Sequence, residues 1–184
     1  MNFSPFPSLT TTNFNLCSLH KDDVNEIFEM RSDPKVTEFL DREIYKSINE
    51  AEQFIQKIIK GIEVNEWIYW AIRYKDTPRL IGSICLWNFT DDKTKADIGY
   101  ELISSYHGKG VMQEIIPVVL DYGFKKLGLQ VVFGEVARGN IKSIRLMQKY
   151  GFELSPNKVE DDEQKMEIYY LAVEKWRKNE NPST

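Results

Sequence analysis

Residues 98–114 read IGYELISSYHGKGVMQE. An alternating segment through Ile98, Tyr100 and Leu102 runs into Gly108-Lys109-Gly110 and then directly into an amphipathic run that begins at Val111. Glycines turn the chain tightly and let the backbone approach a ligand. The N–H groups of a helix start, at the positive end of the helix dipole, favour phosphate. Strand, glycine pair and helix in that order make a candidate pyrophosphate cradle. Taken alone, the same pattern is equally well a turn that needs positive φ.

Downstream, the spacing predicts a helix over 111–127 stopped by Gly128, a strand over 130–137 and a helix over 141–150 stopped by Gly151. Pro117 falls inside the first of these helices and should bend it. A strand–helix–strand crossover places residues 98–103 and 130–137 parallel, and we expect them to splay at their C-terminal ends. Upstream, residues 67–74, 80–89 and 96–103 read as strands of an antiparallel meander, divided by Asp76-Thr77-Pro78 and Asp91-Asp92-Lys93. Residues 14–19 read as a short strand and 21–31 as a helix. Over 47–64, Ile48, Ala51, Phe54, Ile55, Ile58, Ile59 and Ile62 keep helical spacing, with Ser47 and Glu50 as a capping box. Residues 152–156 and 165–173 are strand-like and joined through the acidic run Glu160-Asp161-Asp162-Glu163. The expected fold is therefore α/β, a single domain over 1–184 with a central mixed, mostly antiparallel twisted sheet flanked by helices. The leader 1–12 and the tail 177–184 are expected to be flexible.

The bulk numbers exclude several classes. With 24 basic against 28 acidic residues, a net charge of -4 and a pI near 5.4, there is no electrostatic footprint for nucleic acid. Hydrophobic residues at 42% suffice for a core without disulfides, and Cys17 and Cys85 form no CxxC or ligand cluster, so no metal and a reduced, cytoplasmic setting are expected. No apolar run reaches the roughly 18 residues of a membrane helix, and Met1-Asn2-Phe3-Ser4-Pro5 lacks the basic and apolar regions of a secretory signal.

With these residues in order, the chain resembles the GNAT acetyltransferase superfamily, and within it the ribosomal-protein N-terminal acetyltransferases. That branch carries a segment like I-G-Y-x-L-x-x-x-Y-x-G-K-G-x-M, and after the next strand a segment with Asn, Ser and Gly-Phe. Ile98-Gly99-Tyr100, Tyr106, Gly108-Lys109-Gly110, Met112, Asn140, Ser143 and Gly151-Phe152 match in order. The stretch SDPKVTEFL at residues 32–40, ahead of an amphipathic helix, is similar to this branch as well. Two departures stand out: His107 occupies a position that is usually Arg or Gln, and Met147 falls where many members carry a tyrosine general acid.

The resemblance implies a three-layer fold with acetyl-CoA as co-substrate and an amine as acceptor. Backbone N–H groups of His107, Gly108, Lys109, Gly110, Val111 and Met112 would hold the pyrophosphate, and the backbone near Leu102 and Ile103 would pair with the pantetheine arm. Asn140 would lie beside the pantetheine, and is equally readable as a helix N-cap. Ser143 would donate a proton to the leaving thiolate; the plain alternative is a solvent-facing helix serine. Glu101, on the strand before the cradle, is the candidate base for the amine, against the alternative of an exposed strand glutamate. The acceptor is expected to be a protein N-terminus, with a ribosomal protein implied; a small polyamine or drug amine, and a silent acetyl-CoA sensor, stay open. Loops over 39–45 and 157–165 would choose the acceptor, and edge strands leave room for a homodimer.

Overall fold

The computed structural model describes residues 1–40, 42–156 and 166–180. Eight strands form one sheet: β1 (Leu9–Thr10), β2 (Phe14–Ser18), β3 (Ile68–Tyr74), β4 (Leu80–Trp87), β5 (Lys95–Leu102), β6 (Val131–Ala137), β7 (Glu153–Leu154) and β8 (Met166–Ala172), in the spatial order β1-β2-β3-β4-β5-β6-β8-β7. The helices are α1 (Val24–Ser32), α2 (Pro34–Thr37), α3 (Ile48–Glu63), α4 (Val111–Asp121), α5 (Ile141–Lys149) and α6 (Val173–Glu180). The sheet is antiparallel except at β5 and β6, which run parallel around the α4 crossover, as the sequence predicts.

The parallel pair is joined only at Lys95↔Val131, Ala96↔Val132 and Asp97↔Phe133. Beyond that rung β5 stays with β4 as far as Gly82↔Leu102, while β6 stays with β8 as far as Ala137↔Met166. Each strand follows its outer neighbour, and a wedge opens between residues 98–102 and 134–137.

Strand alternation sends side chains to two separate cores. Trp70, Ile72, Ile84, Ile98 and Leu102 face α4 and α5, together with Ile115, Val119 and Met147. Tyr69 and Ala71 face α1 and α3, where Ile27, Met30, Ala51, Ile55 and Ile58 are buried. The capping box holds the start of α3 as expected: both Ser47 N–H and Ser47 Oγ–H donate to Glu50.

Several elements depart from expectation. The leader is packed: Phe3 is 2% exposed, Phe3 N–H donates to Asn65 Oδ1 at 2.7 Å, and Trp70 Nε1–H donates to the Pro7 carbonyl at 2.7 Å. Phe3, Phe6 and Leu9 recur every third residue, but the prolines, serines and threonines between them hide the pattern. The helix expected over 111–127 is α-helical only through Asp121 and finishes in a π turn, Tyr122–Lys126. Two helices were not foreseen: α2, whose start is capped by Asp33 accepting from Lys35 N–H with Pro34 in the first turn, and α6 in the expected tail, anchored by Trp176 Nε1–H donating to Asp121. The acidic run 160–163, the acceptor loop 157–165 and the last residues 181–184 lie outside the described residues. No described helix is long and apolar enough to cross a membrane.

Candidate active site

Gly108 and Gly110 both have left-handed backbone, at φ 74° and 79°, and Gly110 is the N-cap of α4. A Cβ on either would meet nothing within 4 Å, so conformation rather than crowding demands glycine, and the space above them is open. Val111 and Met112 bury their side chains, while no side chain caps the helix start. Among the described residues, the N–H groups of Gly108, Lys109, Gly110, Val111 and Met112 meet no acceptor. His107 differs from expectation: its N–H donates to the Ser104 carbonyl at 3.1 Å, so the free donors begin one residue later.

The edge of β5 along the wedge is narrower than expected. Ile103 N–H donates to the Ile81 carbonyl at 3.0 Å and the Ile103 carbonyl accepts from Tyr106 N–H, so Ile103 has no N–H to offer a ligand. Alternation then turns the N–H of Leu102 away from β4 and into the gap. The Leu102 carbonyl accepts from His107 Nε2 at 2.9 Å, which fixes the Nε2–H tautomer because a carbonyl only accepts.

Across the wedge, Asn140 is the N-cap of α5, its Oδ1 accepting from Ser143 N–H at 3.1 Å, and its amide nitrogen has no partner among the described residues. The helical turn brings Ser143 Oγ to 2.6 Å from Tyr100 Oη on β5. This bridge between β5 and α5 is not visible in the sequence, because alternation marks Tyr100 as core and says nothing of its hydroxyl. Burial pushes the Tyr100 phenol above its ordinary pKa, an effect the bond to Ser143 partly offsets. Met147 lies 3% exposed against Gly134, where a Cβ would stand 2.6 Å from its sulfur, and it offers no proton.

Glu101 points to the opposite face of the sheet. Arg31 donates through Nε and Nη2 to Glu101 Oε1 at 3.3 and 3.0 Å, and Arg42 Nη2 lies 2.7 Å from Oε2. Arg31 is held further by Nη1–H to Tyr45 Oη at 3.0 Å and by stacking on the Phe54 ring at 3.6 Å. The Glu101 side chain is 9% exposed. Burial alone would raise its pKa, but the charges of Arg31 and Arg42 and their hydrogen bonds outweigh it and hold the carboxyl below its usual range. A carboxylate held in this way is a weaker base than a free one. Asp97, on the same face, is pushed upward by burial, yet it sits at the last paired rung, the closed end of the wedge. The loop after α2 spans the open end: Arg42 reaches β5, and the Phe39 ring lies 3.3 Å from where a Cβ of Gly139 would be.

A sequence profile of the acetyltransferase (GNAT) domain matches residues 13–153. The chain is similar to YoaA of Bacillus subtilis (strain 168), an uncharacterised N-acetyltransferase, with 34% identity over 148 residues that cover 80% of this chain and 84% of the relative. It is also similar to the spermidine N(1)-acetyltransferase of Vibrio cholerae, at 24% identity over 79% of this chain and 82% of the relative. Among solved structures, RimL, a ribosomal L7/L12 alpha-N-protein acetyltransferase in complex with coenzyme A, superposes with a TM-score of 0.79 at 15% identity, over 92% of this chain and 99% of that one. At that identity the likeness concerns the fold.

Proposed function

This chain belongs to the GNAT acetyltransferase family and is an N-acetyltransferase, and from that premise we propose that its acceptor is the free α-amine of a peptide or protein N-terminus. The GNAT fold uses acetyl-CoA, which supplies the acetyl group as a thioester. The residues present fit that group: five N–H groups without an acceptor among the described residues, at a helix start opened by two left-handed glycines, suit a pyrophosphate. In this reading Gly108, Lys109, Gly110, Val111 and Met112 bind the phosphates, the Leu102 N–H and the Asn140 amide orient the arm, and the Tyr100–Ser143 pair supplies a proton to the departing sulfur.

The observation that carries the acceptor class is the clasped Glu101. With Glu101 paired to two arginines and its carboxyl held below its usual range, in this reading the amine arrives already neutral. At pH 7.4 an α-amine of pKa about 8 is roughly 20% neutral, whereas a lysine near 10.4 is about 0.1% neutral. Ribosomal-protein N-termini are the acceptors that the RimL likeness suggests. The role of Glu101 is then electrostatic, holding Arg31 and Arg42 in place beside the incoming amine.

The test is thiol release from acetyl-CoA with peptides bearing a free N-terminus, Nα-blocked lysine peptides and spermidine. Free N-termini should be acetylated fastest at pH 7, and the gap to blocked lysine peptides should close as pH rises toward 10. Spermidine as the fastest acceptor would establish the polyamine reading, which the Vibrio cholerae relative suggests.

A further inference from the structure

Among the described residues, the ionic cluster beside the wedge does not balance. Arg31 and Arg42 both pair with Glu101, two described positive charges to one negative, with side-chain exposures of only 15%, 19% and 9%. The two arginines differ in how far they are satisfied. Arg31 has acceptors at Nε, Nη1 and Nη2 and stacks on Phe54. Arg42 makes the single ion pair to Oε2, but among the described residues neither its buried Nε and Nη2 nor Glu101 Oε2 completes a hydrogen bond of good geometry. A guanidinium carries five donors in a planar fork suited to a carboxylate, and leaving buried donors unpaired is costly. Arg42 also belongs to the loop that spans the mouth of the wedge, while its partner Glu101 lies on the strand where β5 has left β6. The surplus charge therefore sits where an acceptor must enter.

We infer that Arg42 docks a carboxylate carried by the acceptor, so that the substrate class is a peptide N-terminus with an aspartate or glutamate among its first residues. This rests on the α-amine reading above and narrows it. Binding leaves two positive and two negative charges in the cluster, and the vacant donors of Arg42 gain an acceptor. A polyamine would instead bring further positive charge against the same surplus.

The experiment measures kcat/KM by thiol release for matched tripeptide amides, Asp-Ser-Gly against Asn-Ser-Gly and Ser-Glu-Gly against Ser-Gln-Gly, with spermidine alongside. In the wild-type protein the acidic member of at least one pair should be favoured about tenfold or more, mainly through KM, and 0.5 M salt should reduce that ratio. Arg42→Gln should bring the ratio within threefold, and Arg42→Lys, which keeps the charge and loses the fork, should fall between. Acidic and neutral peptides within threefold of each other in the wild type would overturn the inference, as would a preference that survives Arg42→Gln. The wild-type ratio decides even if the glutamine variant does not fold. Bound acetyl-CoA with no thiol release from any amine would instead sink the amine-acceptor reading, and this inference with it.

Discussion

At the scale of single residues, Glu101 and Tyr100 have separate partners, Arg31 and Arg42 for one and Ser143 for the other, because neighbours on one strand face opposite ways. Replacing Glu101 by Gln leaves two buried guanidiniums without their counter-charge, a change that typically costs about 3–5 kcal/mol. A carboxylate whose folded pKa lies below the unfolded value near 4.3 stabilises the fold fully above that pH, and this contribution fades as pH falls toward the folded value. Wild-type stability should thus drop below about pH 4.3, and the Glu101→Gln variant should be flatter in that window when followed by denaturant titration. Its activity deficit should be the same at pH 7 and 9.5; a deficit that vanishes at high pH would make Glu101 the base after all. Tyr100→Phe removes the hydroxyl that meets Ser143, and should lower turnover about tenfold or more with acetyl-CoA affinity by calorimetry unchanged. An unaltered kcat would release the pair from proton delivery. The glycine turn and the helix start after it were legible in the sequence because glycine spacing before a helix encodes backbone shape directly. The clasp and the Tyr100–Ser143 bond were not, since Arg31, Arg42 and Ser143 stand 70, 59 and 43 positions from their partners and only tertiary packing brings them together.

At the scale of elements, one missing hydrogen in α4 meets a contact from the end of α5. Pro117 cannot donate to the carbonyl of Gln113, the acceptor it would have in an uninterrupted helix. The Tyr150 hydroxyl, at the end of α5, donates to that carbonyl, and Lys149 Nζ donates to Gln113 Oε1 at 3.0 Å. The sequence shows the proline and predicts a bend; what it does not show is that the orphaned carbonyl becomes the anchor of the next helix. Tyr150→Phe should cost about 1 kcal/mol, the net worth of a typical hydrogen bond. In a Pro117→Ala background the helix can satisfy Gln113 itself, so the same tyrosine change should cost close to nothing. Equal costs in both backgrounds, by urea denaturation in a double-mutant cycle, would show that Tyr150 does not act through Gln113.

At the scale of the whole molecule, the sheet needs cover on both faces, and helices supply it unevenly. On the face of Tyr69 and Ala71, α1 and α3 close the core. On the other face, α4 and α5 stand beside the wedge, and the leader completes the cover over Trp70. The meander and the α/β crossover were legible because period-2 and period-3.6 patterns are long there; the leader was not, because three apolar residues among prolines carry no period of either kind. Trp70, fully buried, has Tyr122 edge-on at 5.5 Å, Phe6 at 6.4 Å and the Pro7 carbonyl on its indole nitrogen. Deleting residues 1–8 removes Phe6, that acceptor and the buried Phe3 ring together. Burial of one phenylalanine is worth about 1.5–3 kcal/mol and the hydrogen bond about 1 kcal/mol, so the deletion should cost roughly 3 kcal/mol in urea and shift tryptophan emission to the red. The wedge itself is built from β5, β6 and α4, and the part of the leader that meets α4, β1, is kept in this deletion, so acetyl-CoA binding should persist at temperatures where the shortened protein is folded. Undiminished stability and unchanged emission would mean that the sheet closes over Trp70 without its leader, and that α4 alone suffices to cover that face.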